Sequence, residues 1–277
     1  MLLQNRLTSI SELPAAIHLR LWHFTNRECS IIDAARRART YGLSIDAKLQ
    51  SELAAVKYPV CFMDFETFAP AVPRLGGMKP YEPIPIQWSV HRQACKGGTL
   101  EHSAFLSPDS DDPRRVFIES LFKAVKGARS IVVYGSYENT VLSMLCRWFP
   151  DCASKIGSIQ SRLVDLSTII RRNVYCPDFQ RSYSIKRVLP AMVPEMSYDG
   201  LLVQSGDQVS SIWERLCDVN LASADRMRLR RALLDYCERD TLALAHLVDV
   251  LKVVGSFRPQ NSGVYGRFKL VSLTGKK

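Results

Sequence analysis

The chain has no C-x-x-C pair among its eight cysteines, no internal repeat, no low-complexity tract and no apolar run of membrane-spanning length. Each absence removes a class of protein. Without paired cysteine spacing there is no zinc or iron–sulfur signature. Thiols such as Cys61 and Cys237, set in apolar or helical runs, pack as small hydrophobes, which fits a reducing compartment rather than a disulfide framework. A membrane helix needs roughly 20 consecutive apolar residues, and the opening Met1-Leu-Leu-Gln-Asn-Arg6 does not lead into the apolar stretch of a signal peptide. These features predict a cytoplasmic protein with no membrane association. Acidic residues are also short, with 27 Asp plus Glu against 37 Lys plus Arg, a formal charge of +10. A surplus of that size fits either a polyanionic partner, nucleic acid above all, or a merely soluble basic protein. A length of 277 residues allows one sizeable core with an appendage, or two modest domains.

Residues 1–57 read as a helical N-terminal extension, and a place where a protein partner would dock. Ile31–Thr40 and Ser44–Val56 carry helical spacing of apolar residues, with Gly42 as a break between them. Arg36, Arg37 and Arg39 make the first of these basic, as a solvated face or a phosphate-contacting surface. At Pro59 the period changes. Val60–Phe65 is a short apolar run of strand length, followed by a proline-rich loop to Pro85. Ile86–Arg92 and Leu100–Leu106 read as strands joined by a turn at Lys96-Gly-Gly98. Pro113–Val125 reads as a helix, Ser130–Tyr134 as a strand and Tyr137–Trp148 as a helix. From there to Val250 the pattern is mostly helical and ends in a long amphipathic segment, Ala224–Val250. The order implies an α/β fold with a mixed sheet over residues 58–252. Residues 253–277 form a basic, Gly-containing tail, either a hairpin or a disordered arm.

Five residues carry the chemistry. Asp64 and Glu66 stand at i,i+2 on a strand and so project from one face. Flanked by Phe62, Phe65 and Phe68, two ionised carboxylates need a counter-charge if buried, which a hard divalent cation supplies; on an exposed edge strand they would face water instead. Tyr236 and Asp240, at i,i+4, share a stripe of the long helix. Either the phenol orients a metal-bound water, or the tyrosine packs while Asp240 pairs with an arginine. Glu138 follows a strand near a helix start, where its carboxylate points across the strand ends or simply offsets the helix dipole. Asp165 competes with it but fits better as the N-cap of the next helix. His91, His102 and His246 have no motif context and read as structural or surface residues.

In this order, an acidic pair on the first strand, a carboxylate after a later strand and Y-x-x-x-D on a C-terminal helix resemble the DEDDy 3′–5′ exonucleases, a superfamily of RNase H-like fold. Val164-Asp-Leu-Ser-Thr-Ile-Ile-Arg171 followed by Ser182-Tyr-Ser-Ile-Lys-Arg-Val-Leu189 is similar to the mid-domain pattern of proofreading exonucleases. Asp64-Phe-Glu-Thr-Phe68, Pro80-Tyr-Glu-Pro-Ile-Pro-Ile-Gln-Trp-Ser89 and Leu234-Asp-Tyr-Cys-Glu-Arg-Asp-Thr241 also resemble an uncharacterised bacterial domain family whose members often follow a RecB-like nuclease domain. The resemblance implies two Mg²⁺ or Mn²⁺ ions held by Asp64, Glu66, Glu138 and Asp240, with Tyr236 holding the attacking water. Glu138 stands where the superfamily usually has Asp. Asp235 occupies the place where the histidine subclass carries its His.

The implied activity is 3′–5′ hydrolysis of single-stranded nucleic acid at a free 3′ end, DNA favoured over RNA, releasing nucleoside 5′-monophosphates. Two rivals accompany it: an exoribonuclease acting on RNA ends or short oligonucleotides, and an inactive scaffold that only binds. Such an enzyme needs basic groups along the phosphates and apolar or aromatic groups against the bases. The candidates are Thr67, Phe68, Arg74, Tyr81, Arg181, Lys186 and Arg187. Trp88 belongs instead to the core, alternating with Ile86 and Val90, and the arginines at 226, 228, 230 and 231 read as a solvated face.

Overall fold

The structure, a computed structural model, describes residues 42–108 and 112–256. These form two compact units that interleave along the chain. Residues 54–108, 112–167 and 196–249 make the larger; 42–53, 168–195 and 250–256 make the smaller.

In the larger unit, β2 (Val60–Phe68), β3 (Ile84–Gln93), β4 (Leu100–Leu106), β5 (Ser130–Val133) and β6 (Leu163–Asp165) form one sheet in the order β4-β3-β2-β5-β6. The first three strands run as an antiparallel meander, and β5 and β6 run parallel to β2. Helices α2 (Arg114–Ala124), α3 (Tyr137–Trp148) and α4 (Ala153–Gln160) supply the crossovers, and α7 (Gly206–Leu216) and α8 (Ser223–Ser256) complete the unit. This is the mixed α/β, RNase H-like architecture that the sequence implies.

The period of two on β2 sorts its side chains. Cys61, Met63 and Phe65 join Trp88 and Val90 of β3, Ile131 and Val133 of β5 and the apolar stripes of α2, α3 and α4 in a single core. Phe117 closes it edge-on against Phe65, ring centroids 5.1 Å apart. Trp88 is in this core as expected, with its indole N–H donated to Ser120 Oγ at 3.0 Å. The alternate residues Phe62, Asp64 and Glu66 belong to the opposite face, where α8 docks. Hydrogen bonds cross this contact: Gln87 Nε2 donates to Leu233 O at 2.9 Å, and Ser89 Oγ meets Thr241 Oγ1 at 2.9 Å.

Strand β4 and helix α3 have the expected bounds, and β2 extends three residues beyond its apolar run, through Phe68. Two strands, β6 and β7 (Val174–Tyr175), interrupt the segment that periodicity reads as helical. In the smaller unit β7 pairs antiparallel with β1 (Ser44–Ile45). The helix expected over Ser44–Val56 is therefore confined to α1 (Leu49–Leu53). Asp46 sets that limit: its carboxylate accepts from Lys48 N–H at 2.8 Å, a local turn that separates strand from helix. The unit also holds α6 (Ile185–Met192) and most of α5 (Leu166–Asn173). The helix expected over Ile31–Thr40, its arginines and nearly all of the basic tail lie outside the described residues.

Of the N-terminal arginines of α8, Arg228 and Arg231 are exposed as expected of a solvated face, whereas Arg226 and Arg230 are half-buried and tied to backbone carbonyls. Arg226 donates to Leu216 O and, at 2.7 Å, to Asp218 O, placing a cation at the carbonyl end of α7 where the helix dipole favours it. Arg230 reaches Ser107 O at 2.8 Å and Leu106 O at 3.2 Å at the end of β4. Arg228 and Arg231 pair with Asp225 and Asp235 on α8 itself.

Candidate active site

Four carboxylates, borne by β2, α3 and α8, interact as one cluster. Asp64 is half-buried on the α8 face of the sheet, and burial of its carboxyl is the main reason it lies well above the ordinary carboxylate range. The charges of Asp240, Glu66 and Glu138 push it further up, and a Cys237 thiol opposes them. That thiol stands 3.3 Å from Asp64 Oδ2, and burial holds it protonated, so it serves as a donor rather than a thiolate ligand. Asp64, Glu66 and Cys237 each offer a ligand atom within 4.8 Å of the others.

Glu138 arrives by a different route. After β5 the chain turns at Gly135, whose φ of +112° lies where a β-carbon is disfavoured. Gly135 N–H donates to Asp165 Oδ1 at 2.8 Å. Asp165 Oδ1 also accepts from Ser167 N–H at 2.9 Å and Ser167 Oγ–H at 2.8 Å, so it starts α5, as expected of it, while pinning the turn that begins α3. Glu138, in the first turn of α3, is 3 % exposed. Burial raises it to about 7; hydrogen bonds from its own backbone N–H and from Asp64 lower it, and the charges of Asp165 and Asp240 add to the rise. Its Oε2 is buried with no hydrogen-bond partner. A buried carboxylate oxygen in that state is costly unless a cation or solvent meets it.

Asp240 and Tyr236 come from α8, one turn apart, and both are buried. Burial and the charges of Asp240, Glu66 and Asp64 push the Tyr236 phenol far above its ordinary value. It is a hydrogen-bond donor throughout the neutral range and no base. A second phenol, Tyr198, donates to Asp240 Oδ1, and its ring centroid lies 6.1 Å from that of Tyr236. A third, Tyr137, meets Thr67 Oγ1 at 2.6 Å; burial raises it first of all, and the charges of Glu66, Glu138 and Asp64 follow. Neither Tyr137 nor Tyr198 stands out in sequence.

The structure thus brings together Asp64, Glu66, Glu138, Tyr236 and Asp240. Thr67 is beside them. Phe68 is buried at 2 % exposure, with the Arg74 guanidinium 4.7 Å above its ring, so a base reaches that face only if Arg74 moves aside. Arg74 also lies 3.9 Å from Glu214. Tyr81 is exposed on the proline-rich loop in the left-handed region, φ +58°. Arg181, Lys186 and Arg187 belong to the smaller unit, where Arg181 and Arg187 are exposed and Lys186 is half-buried.

The donor set tests the expected cations directly. Clustered oxygens, a carboxylate with an orphaned buried oxygen and carboxyls displaced upward by burial and mutual repulsion all fit hard divalent ions such as Mg²⁺ or Mn²⁺. Among the described residues no helix is long and apolar enough to cross a membrane.

Comparisons with known proteins extend the picture modestly. The family model described as "Domain of unknown function (DUF2779)" matches residues 61–184, which include Asp64, Glu66 and Glu138. No curated protein matches the chain. Among solved structures, the chain is similar to the family B DNA polymerase from the hyperthermophilic archaeon Pyrobaculum calidifontis, at 19% identity and a TM-score of 0.46. That similarity covers 73% of this chain and 27% of the polymerase, so the chain spans about a quarter of its length.

Proposed function

We propose that the protein is a metal-dependent 3′–5′ exonuclease acting on single-stranded nucleic acid, DNA before RNA, and releasing nucleoside 5′-monophosphates. The observation that carries this reading is the convergence of Asp64, Glu66, Glu138 and Asp240, with the Glu138 oxygen buried and unpartnered. Together with Tyr236, that set follows the order of the DEDDy pattern, with Glu138 in the place of its usual Asp.

Asp64, Glu66, Glu138 and Asp240 would hold two Mg²⁺ or Mn²⁺ ions. When bound, such ions lower the pKa of a water and stabilise the charge that develops on a phosphate during in-line displacement. The chain's own groups do the rest. Tyr236, kept protonated, donates to the attacking water and fixes its lone pair toward phosphorus. Tyr198 orients Asp240 from behind. Cys237 does the same for Asp64 and excludes water from its buried side. Thr67 and Tyr137, linked at the rim of the cluster, are placed to meet the terminal nucleotide, and Arg74 and Tyr81 to meet the strand beyond it.

The test is a purified-protein assay on 3′- and 5′-labelled single-stranded DNA and RNA with Mn²⁺. The expected result is a ladder of products shortened from the 3′ end, lost in Asp64→Ala and with chelator. Absence of cleavage of either polymer by the wild-type chain overturns the enzyme reading and leaves a binding scaffold.

A further inference from the structure

A second group of ligand-type side chains lies on the same α8 face, at the β3–β4 edge rather than at the acidic cluster. His91 of β3 and His102 of β4 are direct cross-strand partners, their rings stacked with centroids 4.6 Å apart. Glu238, on α8, brings Oε1 to 3.7 Å from His102 Nδ1. One ligand atom from each of the three residues falls within 4.8 Å of the others.

The hydrogen bonds around these rings are those that ligating histidines need. His91 Nδ1 is engaged by Thr241 Oγ1 at 2.8 Å, and His102 Nε2 by Ser89 Oγ at 2.9 Å. Each ring is thereby fixed through one nitrogen and has the other to offer, Nε2 on His91 and Nδ1 on His102. Anchoring of the distal nitrogen by a neighbouring oxygen sets the tautomer and orientation of metal-bound imidazoles. The two anchors also touch each other, Ser89 Oγ to Thr241 Oγ1 at 2.9 Å. Burial holds both rings below their ordinary value, His91 at about 4, so each is neutral at pH 7 with a free lone pair.

We infer that His91, His102 and Glu238 form a transition-metal site distinct from the carboxylate cluster, of the two-imidazole, one-carboxylate type that suits Zn²⁺. His91 is buried, whereas the side chains of His102 and Glu238 are 26% and 38% exposed, so the site is closed at its base and open to solvent for a fourth ligand. A tetrahedral ion would hold its donors at about 2.0–2.2 Å, so Glu238 and the His102 ring would close on it from the solvent side. The bound ion would clamp α8 to the β3–β4 hairpin two residues from Asp240. Its role is thus to fix the helix that carries Asp240 and Tyr236, with no part in phosphodiester chemistry.

The experiment uses the full chain stripped of metal and carrying Asp64→Asn to weaken the carboxylate cluster, titrated with Co²⁺ as a visible probe and then with Zn²⁺. The expected result is one equivalent of Co²⁺ with ligand-field absorption that Zn²⁺ displaces. The absorption is lost in His102→Ala, and the affinity falls at least tenfold in Glu238→Gln. At a hundredfold excess of Zn²⁺ over Kd the melting temperature rises by roughly 5–10 °C, and His102→Ala abolishes the rise. His102 is an outer side chain, so circular dichroism of the metal-free variant separates loss of the site from loss of the fold. The inference is overturned by absence of visible absorption in folded protein, by absorption unchanged in His102→Ala, or by thiolate-type absorption that disappears in Cys237→Ser.

Discussion

The two faces of β2 obey opposite rules. On one, Cys61, Met63 and Phe65 enter a continuous apolar core against α2, α3 and α4. On the other, Asp64 and Glu66 meet Asp240 of α8 and Glu138 of α3, and burial and like charge raise Asp64 and Glu138 together. The first face stabilises the fold by removing apolar area from water. On the second, Phe62 is buried too, but the carboxylates work against the fold, because they repel one another and lose hydration. One nine-residue strand therefore divides the molecule into a side that holds it together and a side that stores electrostatic strain for a cation to relieve.

Substitutions on the two faces should separate activity from stability, and the largest effect belongs to the polar face. Asp64→Ala should reduce nuclease turnover on the order of a thousandfold, comparable to removing a principal charge stabiliser, while circular dichroism and melting of the metal-free protein stay at or above wild type. Phe117→Ala should do the reverse. It removes a fully buried ring and should cost about 3–5 kcal/mol in denaturant unfolding, with turnover of the folded fraction retained. Tyr236→Phe keeps the packing and deletes one donor, so kcat should fall roughly a hundredfold with KM little changed, read by steady-state kinetics.

The smallest effect is a pH dependence. The ordinary value of Glu138 is 4.5 and its folded value is about 7, so between these the folded state keeps a proton that the unfolded state has lost. Stability of the metal-free protein should therefore fall as pH rises through that window, by on the order of 1 kcal/mol per pH unit, with Asp64 acting in the same direction. Glu138→Gln should flatten the profile in denaturant titrations from pH 4.5 to 8, and a divalent cation should offset the loss in the wild type.

Much of this division is legible in the amino-acid order. Alternation on β2 places Asp64 and Glu66 on one face, and the i,i+4 spacing on α8 pairs Tyr236 with Asp240. Strands β3 and β4 and helix α3 follow from period and turn residues, since each is long enough to show its pattern. Strand β6 is too short to display a period and is specified by pairing with β5, which only the folded chain provides. The same holds for Ser44–Ile45, whose partner Val174–Tyr175 lies far along the chain. Tyr198 sits in irregular chain 42 residues before Asp240, so no spacing links them. Cys237 reads as an apolar helix residue, and only its approach to Asp64 marks it as a donor. His91 and His102 carry no motif because a cross-strand register, not a sequence interval, makes them neighbours.

If the carboxylates of β2, α3 and α8 form a cage for divalent cations, Mn²⁺ should bind there. Isothermal titration of Mn²⁺ into the metal-free chain near neutral pH, beside Asp64→Asn and Asp240→Asn, decides the matter. The expected result is saturable binding in the wild type that weakens at least tenfold in each variant. Heats no different from dilution in the wild type, or binding unchanged when both aspartates are replaced, would contradict it.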